Sequence, residues 1–220
     1  ELDRRLVANG TFLDQRFVIP SMGYNHNLEI DNSTHRVELN LPPRPDMPEP
    51  DTPGVRQRFF GAAHSGFVSY EAIISTEPDQ TALTSGELIK TWTADNRRSF
   101  HYRIPSKCLH YLGFVSGRFE MERKVWNDVP VEVYYHPDHD MNVDTILNAA
   151  IDTLKYCSDT YNSYPFGVLR IVEYPKYTVM AEAFPGFIPV SEGIGFVARK
   201  EPDQVDALAR LVAHETAHQW

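Results

Sequence analysis

The sequence predicts an α+β chain with a β-rich N-terminal domain over residues 1–136 and a helix-bearing second part over 137–220. Three observations support this. Between Phe59 and Tyr135, short β-branched and aromatic runs alternate with turn residues. A polar break, His136-Pro-Asp-His-Asp-Met-Asn, then interrupts the pattern. Beyond it, apolar residues recur at steps of three and four, the period of a helix face.

In chain order, the first stretch to about Arg58 mixes polar turns with Leu41-Pro-Pro-Arg-Pro-Asp-Met-Pro-Glu-Pro-Asp-Thr-Pro. That density of proline excludes helix and central strand, so residues 41–53 read as an extended surface arm, with a proline-type ligand as the functional alternative. Phe67-Val-Ser-Tyr-Glu-Ala-Ile-Ile, Leu88-Ile-Lys-Thr-Trp-Thr and Ser99-Phe-His-Tyr-Arg-Ile read as antiparallel strands. Val129-Pro-Val-Glu-Val-Tyr-Tyr closes the series, with Val129, Val131, Val133 and Tyr135 on one face and the polar Glu132 on the other. Asn142 is placed to cap a helix whose first turn carries Asp144. Val143, Ile146, Leu147, Ala150, Ile151, Leu154 and Cys157 form its continuous apolar stripe, and it ends by Tyr164-Pro. Val168-Leu-Arg-Ile-Val-Glu-Tyr and Ile194-Gly-Phe-Val-Ala are further strand candidates, and a last helix is expected to start near Pro202 or Asp203.

That last helix carries the chemistry. It contains His214-Glu-Thr-Ala-His, whose two imidazoles lie four residues apart and project from one face. Neutral imidazole nitrogens suit Zn²⁺, and Glu215 is placed to take a proton from a water polarised by the ion rather than to bind the ion. The expected reaction is peptide hydrolysis without a covalent intermediate, with His214 and His218 as metal ligands and Glu215 as base and then acid. His136 and His139 form a second histidine pair in the polar break, for which a metal role competes with an ordinary surface role.

Composition sets outer limits. With 220 residues, 42% apolar and 12% aromatic, the chain can bury a real core. Its 21 basic and 30 acidic residues give a net charge of −9, which disfavours nucleic acid and suits a peptide with a positive amino terminus. No apolar run reaches membrane-span length and no leader of signal-peptide type opens the sequence. Cys108 and Cys157, at a spacing that matches no metal or redox motif, read equally as buried thiols or one bridge.

The string His214-Glu-Thr-Ala-His-Gln-Trp resembles the signature of the aminopeptidase N family. Tyr111-Leu-Gly-Phe-Val-Ser-Gly-Arg-Phe-Glu with Val129-Pro-Val-Glu-Val-Tyr is similar to the end of that family's N-terminal β domain. Asn9-Gly-Thr-Phe, Pro20-Ser-Met-Gly-Tyr, the Leu41-Pro-Pro-Arg arm and Phe184-Pro-Gly-Phe-Ile-Pro-Val-Ser-Glu look like bacterial proteins that fuse an ABC-transporter permease to such a peptidase. The resemblance implies a thermolysin-like (gluzincin) catalytic domain beginning at residue 137 and a zinc cofactor. It also implies a peptide substrate, and an extracytoplasmic location beside membrane helices that lie outside this segment. It places a third ligand, a Glu, and a transition-state-stabilising Tyr beyond Trp220, so that the chain by itself is expected to hold zinc weakly and turn over little.

The family's Gly-x-Met-Glu-Asn strand, whose Glu holds the substrate amine, is replaced by Met180-Ala-Glu-Ala-Phe-Pro-Gly. Glu182 and then Glu192 are therefore the candidates for binding the amine. The expected function is metal-dependent hydrolysis from the amino terminus. A non-catalytic peptide-binding or transporter-coupled domain, and an endopeptidase, are the alternatives.

Overall fold

A computed structural model of the chain describes residues 6–7, 10–19, 29–44, 49, 51–53, 67–175, 181–199 and 206–220. Four strands from the N-terminal half form an antiparallel sheet. They are β1 (Leu6–Val7), β2 (Gly10–Asp14), β5 (Thr81–Thr84) and β9 (Gly113–Gly117), in the order β1-β2-β9-β5. A second antiparallel sheet places β7 (Arg97–Arg103) between β4 (Glu71–Thr76) and β6 (Glu87–Ala94), and β3 (Phe67–Val68) pairs with β8 (Cys108–Leu109). Alternating apolar residues supply the inner faces, with Phe12, Leu83 and Val115 buried in the first sheet and Phe100 and Tyr102 in the second. Asp95 and Asn96 join β6 to β7 with both φ angles positive, at 52° and 57°, the two-residue turn whose twist matches a hairpin.

Two features of the first 58 residues escape the sequence reading. β2 is a core strand, and short helices α1 (Gln15–Val18) and α2 (Ser33–Glu38) stand where only turns are expected. Asn32 caps α2, its side chain accepting from His35 N at 3.0 Å. The described residues of the proline arm are exposed and lie outside helix and strand, as its missing amide donors require. Residues 20–24, part of the arm and Met180 fall outside the described residues.

The second half is built around a mixed sheet. β10 (Glu120–Trp126) and β11 (Val129–Tyr135) form an antiparallel hairpin, and β12 (Leu169–Tyr174) and β13 (Phe187–Ser191) extend it in parallel. Its backbone hydrogen bonds therefore run across residue 136, where the sequence expects two units to part. Helix α3 (Val143–Thr160) makes the crossover from β11 to β12. One face of the sheet, with Val131, Val133, Leu169, Ile171 and Ile188, packs on the α3 stripe of Ile146, Leu147, Ala150 and Leu154. From the other face, Val172, Tyr174 and Phe187 meet Phe12, Leu83 and Val115 of the first sheet. All six residues of β12 are buried, the condition of a parallel strand covered on both sides.

Glu132 lies on the strand face opposite Val131 and Val133, where at 9% exposure it pairs with Arg170 of β12, Arg170 Nε donating at 2.9 Å. Two expectations are corrected. Asn142 occupies the cap position of α3 but makes no cap hydrogen bond. Its Nδ2 donates instead to the carbonyls of Gly195 (2.9 Å), Phe196 (3.3 Å) and Ala198 (2.8 Å). The Ile194 run is not a strand. It lies in and just after one helical turn, α4 (Glu192–Gly195), with Phe196 fully buried, because a short apolar run fits a buried turn as well as a strand. The last helix, α5 (Ala207–Ala217), begins after Asp206; the expected start at 202–203 lies outside the described residues. Among the described residues, no helix is long and apolar enough to cross a membrane.

Candidate functional site

Asp206 fixes the start of α5, its carboxylate accepting from Ala209 N at 2.9 Å. Leu208 and Val212 bury one face of the helix in the core shared with α3. That leaves His214 and His218, one turn apart, on the exposed side. Their Nε2 atoms converge to 3.1 Å, with the rings perpendicular at 90°. Two donors of a tetrahedral zinc ion at 2.0–2.1 Å stand about 3.3 Å apart. The two imidazoles therefore fit adjacent positions around one ion. Glu215, between them in sequence, is only 8% exposed. Burial pushes its carboxyl above the usual Glu range, opposed by the positive charge available to His218 and then His214.

Glu215 and His218 line a cleft of about 640 Å³. Gln219 and Trp220 continue this wall, and the stretch from Lys107 through β8 to Tyr111 forms another. The segment from Ala181 to Pro185 completes the cleft and contributes Glu182. This segment folds back on β13 through isolated antiparallel bridges, Ala181 to Val190 and Phe184 to Phe187. Gly186 makes the turn possible, with φ at 65°; a β-carbon there would stand 2.8 Å from the Val168 carbonyl oxygen.

Glu182 thus shares the cleft with Glu215, and Tyr111 donates its hydroxyl hydrogen bond to Glu182 Oε1. Glu192 does not line the cleft. It opens α4 and sits with His139 and Glu173, donor atoms of all three lying within 4.8 Å of one another. Glu173 is fully buried at the end of β12; it accepts from His136 N at 2.6 Å and pairs with His139 Nδ1 at 2.5 Å. Burial pushes its carboxyl up, and hydrogen bonds from His136 and His139 oppose that shift.

Two residues of the quoted string make contacts that the sequence does not assign. Gln219 spans from α5 to the cleft hairpin, accepting from Gly186 N at 2.7 Å and donating to Phe184 O at 3.2 Å. Trp220 donates to the Asn162 carbonyl at 2.7 Å. The Tyr111–Glu182 contact spans 71 positions and leaves no local pattern.

No protein-family model matches the chain. Over 158 residues it is 29% identical to endoplasmic reticulum aminopeptidase 1 of Homo sapiens, an alignment covering 69% of this chain and 17% of that protein. The proteins of the same name from Mus musculus and Rattus norvegicus are each 27% identical over 159 residues, with the same coverage. The chain thus spans about 17% of the length of the curated relatives it matches, and its likeness is that of a distant relative of an aminopeptidase.

Proposed function

We propose that this chain carries part of the active site of a zinc-dependent aminopeptidase, in a β-rich domain followed by the start of a thermolysin-like catalytic domain. The observation that supports it best is the approach of the His214 and His218 ring nitrogens to 3.1 Å, with His218 and the buried Glu215 on the wall of a peptide-sized cleft. His214 and His218 would hold zinc, which when bound lowers the pKa of a water and polarises the substrate carbonyl. Glu215 accepts the proton of the attacking water and returns it to the leaving amine nitrogen. Its carboxyl, pushed upward by burial, is closer to a neutral working pH than a solvated Glu.

Glu182, in the same cleft, pairs with the ammonium of the substrate's first residue, and the Tyr111 hydroxyl holds one of its oxygens in place. Glu192 is the weaker candidate for that role because it lies outside the cleft lining. A third ligand from residues after Trp220, and an extracytoplasmic position beside a membrane permease, belong to the same proposal and rest on the family resemblance.

The test is zinc content and hydrolysis of aminoacyl-arylamides by the protein carrying the residues that follow Trp220, beside Glu215→Gln. Stoichiometric zinc in both, with turnover reduced at least a thousandfold in the variant, is expected for loss of the base together with its hydrogen bond to water. Zinc without turnover on free or amino-blocked peptides would replace the enzyme by a peptide-binding domain. Equal cleavage of blocked peptides would make it an endopeptidase.

A further inference from the structure

The polar break that separates the β-rich half from α3 does more than turn the chain. Its residues His136 and His139 pack over the ends of the parallel strands β11 and β12, and the residue following β13 is Glu192. In open α/β sheets, this carboxyl edge of parallel strands is where ligands bind. Here it holds two carboxylates and an imidazole whose donor atoms lie within 4.8 Å of one another.

Ordinary packing does not account for this arrangement. Glu173 is fully buried and Glu192 only 7% exposed. Two buried carboxylates side by side are costly unless a cation or shared protons offset them. Among the described residues, no lysine or arginine pairs with either. Glu173 has both oxygens occupied, Oε2 by His136 N and Oε1 by His139 Nδ1. The Glu192 carboxylate has no hydrogen-bond partner among the described residues, although it is more than nine-tenths buried and lies beside the other two donors. The backbone around it is also fixed: Asp138 takes a positive φ of 72° to turn His139 back, and Asn142 holds the segment following Glu192 by three hydrogen bonds.

We propose that His139 Nδ1, Glu173 and Glu192 form a second divalent-metal site, distinct from the His214/His218 pair, which takes a first-row transition ion such as Zn²⁺. One imidazole and two carboxylates are an ordinary nitrogen and oxygen donor set for zinc. Donors around a tetrahedral ion stand about 3.3 Å apart, and rotation of the partnerless Glu192 side chain closes the remaining gap. His136 is a positioning residue, its amide orienting Glu173 while its own ring faces the Arg118 carbonyl. The ion would join the ends of β11, β12 and β13 at the point where the chain enters α3, so its role is to brace the scaffold that carries the cleft.

The experiment is a zinc titration of the metal-stripped chain in a His214→Ala/His218→Ala background, which removes the motif on α5 and keeps this proposal separable from the peptidase reading. One equivalent of zinc by calorimetry, with a rise in the thermal midpoint on saturation, is expected. Glu192→Gln in that background preserves shape and should weaken binding at least a hundredfold while leaving the metal-free midpoint unchanged or raised. His139→Ala should do the same to zinc affinity. Absence of stoichiometric zinc in the background, or unchanged affinity in Glu192→Gln, would show that the cluster is held by shared protons and overturn the site.

Discussion

Cys108 lines the cleft and is nevertheless only 2% exposed, and burial pushes its thiol up to about 11. At pH 8 about one such thiol in a thousand is ionised, against roughly a quarter for an ordinary cysteine. Cys157 is likewise a buried free thiol, shifted in the same direction by the same cause. Of the two readings the sequence left open, bridge or thiols, the structure has the thiols. Neither should react with a disulfide reagent in the native chain at pH 8, and two per chain should react in denaturant. The native rate should rise about tenfold per pH unit as the pH approaches 11, since only the thiolate attacks. Fast labelling of Cys108 at neutral pH would mean that the cleft wall opens. At this scale, legibility follows sequence distance. His214, Glu215 and His218 are readable because four helical residues fix their geometry, whereas Glu192 could be found as a carboxylate but not assigned to His139 and Glu173.

Elements were legible where their period is regular. The strands between residues 67 and 135 and the stripe of α3 follow directly from apolar spacing. The turn at Glu192–Gly195 and the hairpin at 181–190 do not, because they depend on what approaches them. The hairpin shows how such an element is held. Besides its two bridges and the Arg170 amide that donates to the Gly186 carbonyl at 3.0 Å, its turn is held by Gln219, which accepts from the Gly186 amide and donates to the Phe184 carbonyl. Both contacts are buried, and because Phe187 N also donates to the Phe184 carbonyl, truncation orphans the Gly186 amide. Gln219→Ala should therefore cost about 1–3 kcal/mol in urea unfolding. Gln219→Glu, which keeps the acceptor but loses the donor, should fall between it and the wild type. A loss below about 0.5 kcal/mol in Gln219→Ala would show that water replaces the side chain at the Gly186 amide.

At the scale of the whole molecule, the sequence separates two units at residue 136, while the structure joins them by a sheet and by one cation. Arg170 of β12 is 4% exposed and reaches both parts. Its Nε donates to Glu132 of β11, its Nη1 donates to the Gly86 carbonyl at 2.5 Å, and its guanidinium lies 5.1 Å from the Tyr102 ring centre. No local pattern could reveal this, since Arg170 and Gly86 are 84 positions apart and an arginine within a strand reads as a solvent-facing residue. Removing it leaves the Glu132 carboxylate buried and uncompensated, a loss that costs about 3–5 kcal/mol when one partner of a buried pair is deleted. Arg170→Ala should lower stability by that amount, and the far-ultraviolet and near-ultraviolet transitions should move together because both parts share the contact. Replacing the pair together, Arg170→Met with Glu132→Leu, removes the stranded charge but takes the Arg170 donor from the Gly86 carbonyl and the Glu132 acceptor from the Tyr134 hydroxyl. It should recover only part of the loss, stopping short by about 1–3 kcal/mol for each buried group left unsatisfied. If the two transitions instead separate in Arg170→Ala, the halves are independent units, and the sheet across residue 136 does not couple their folding.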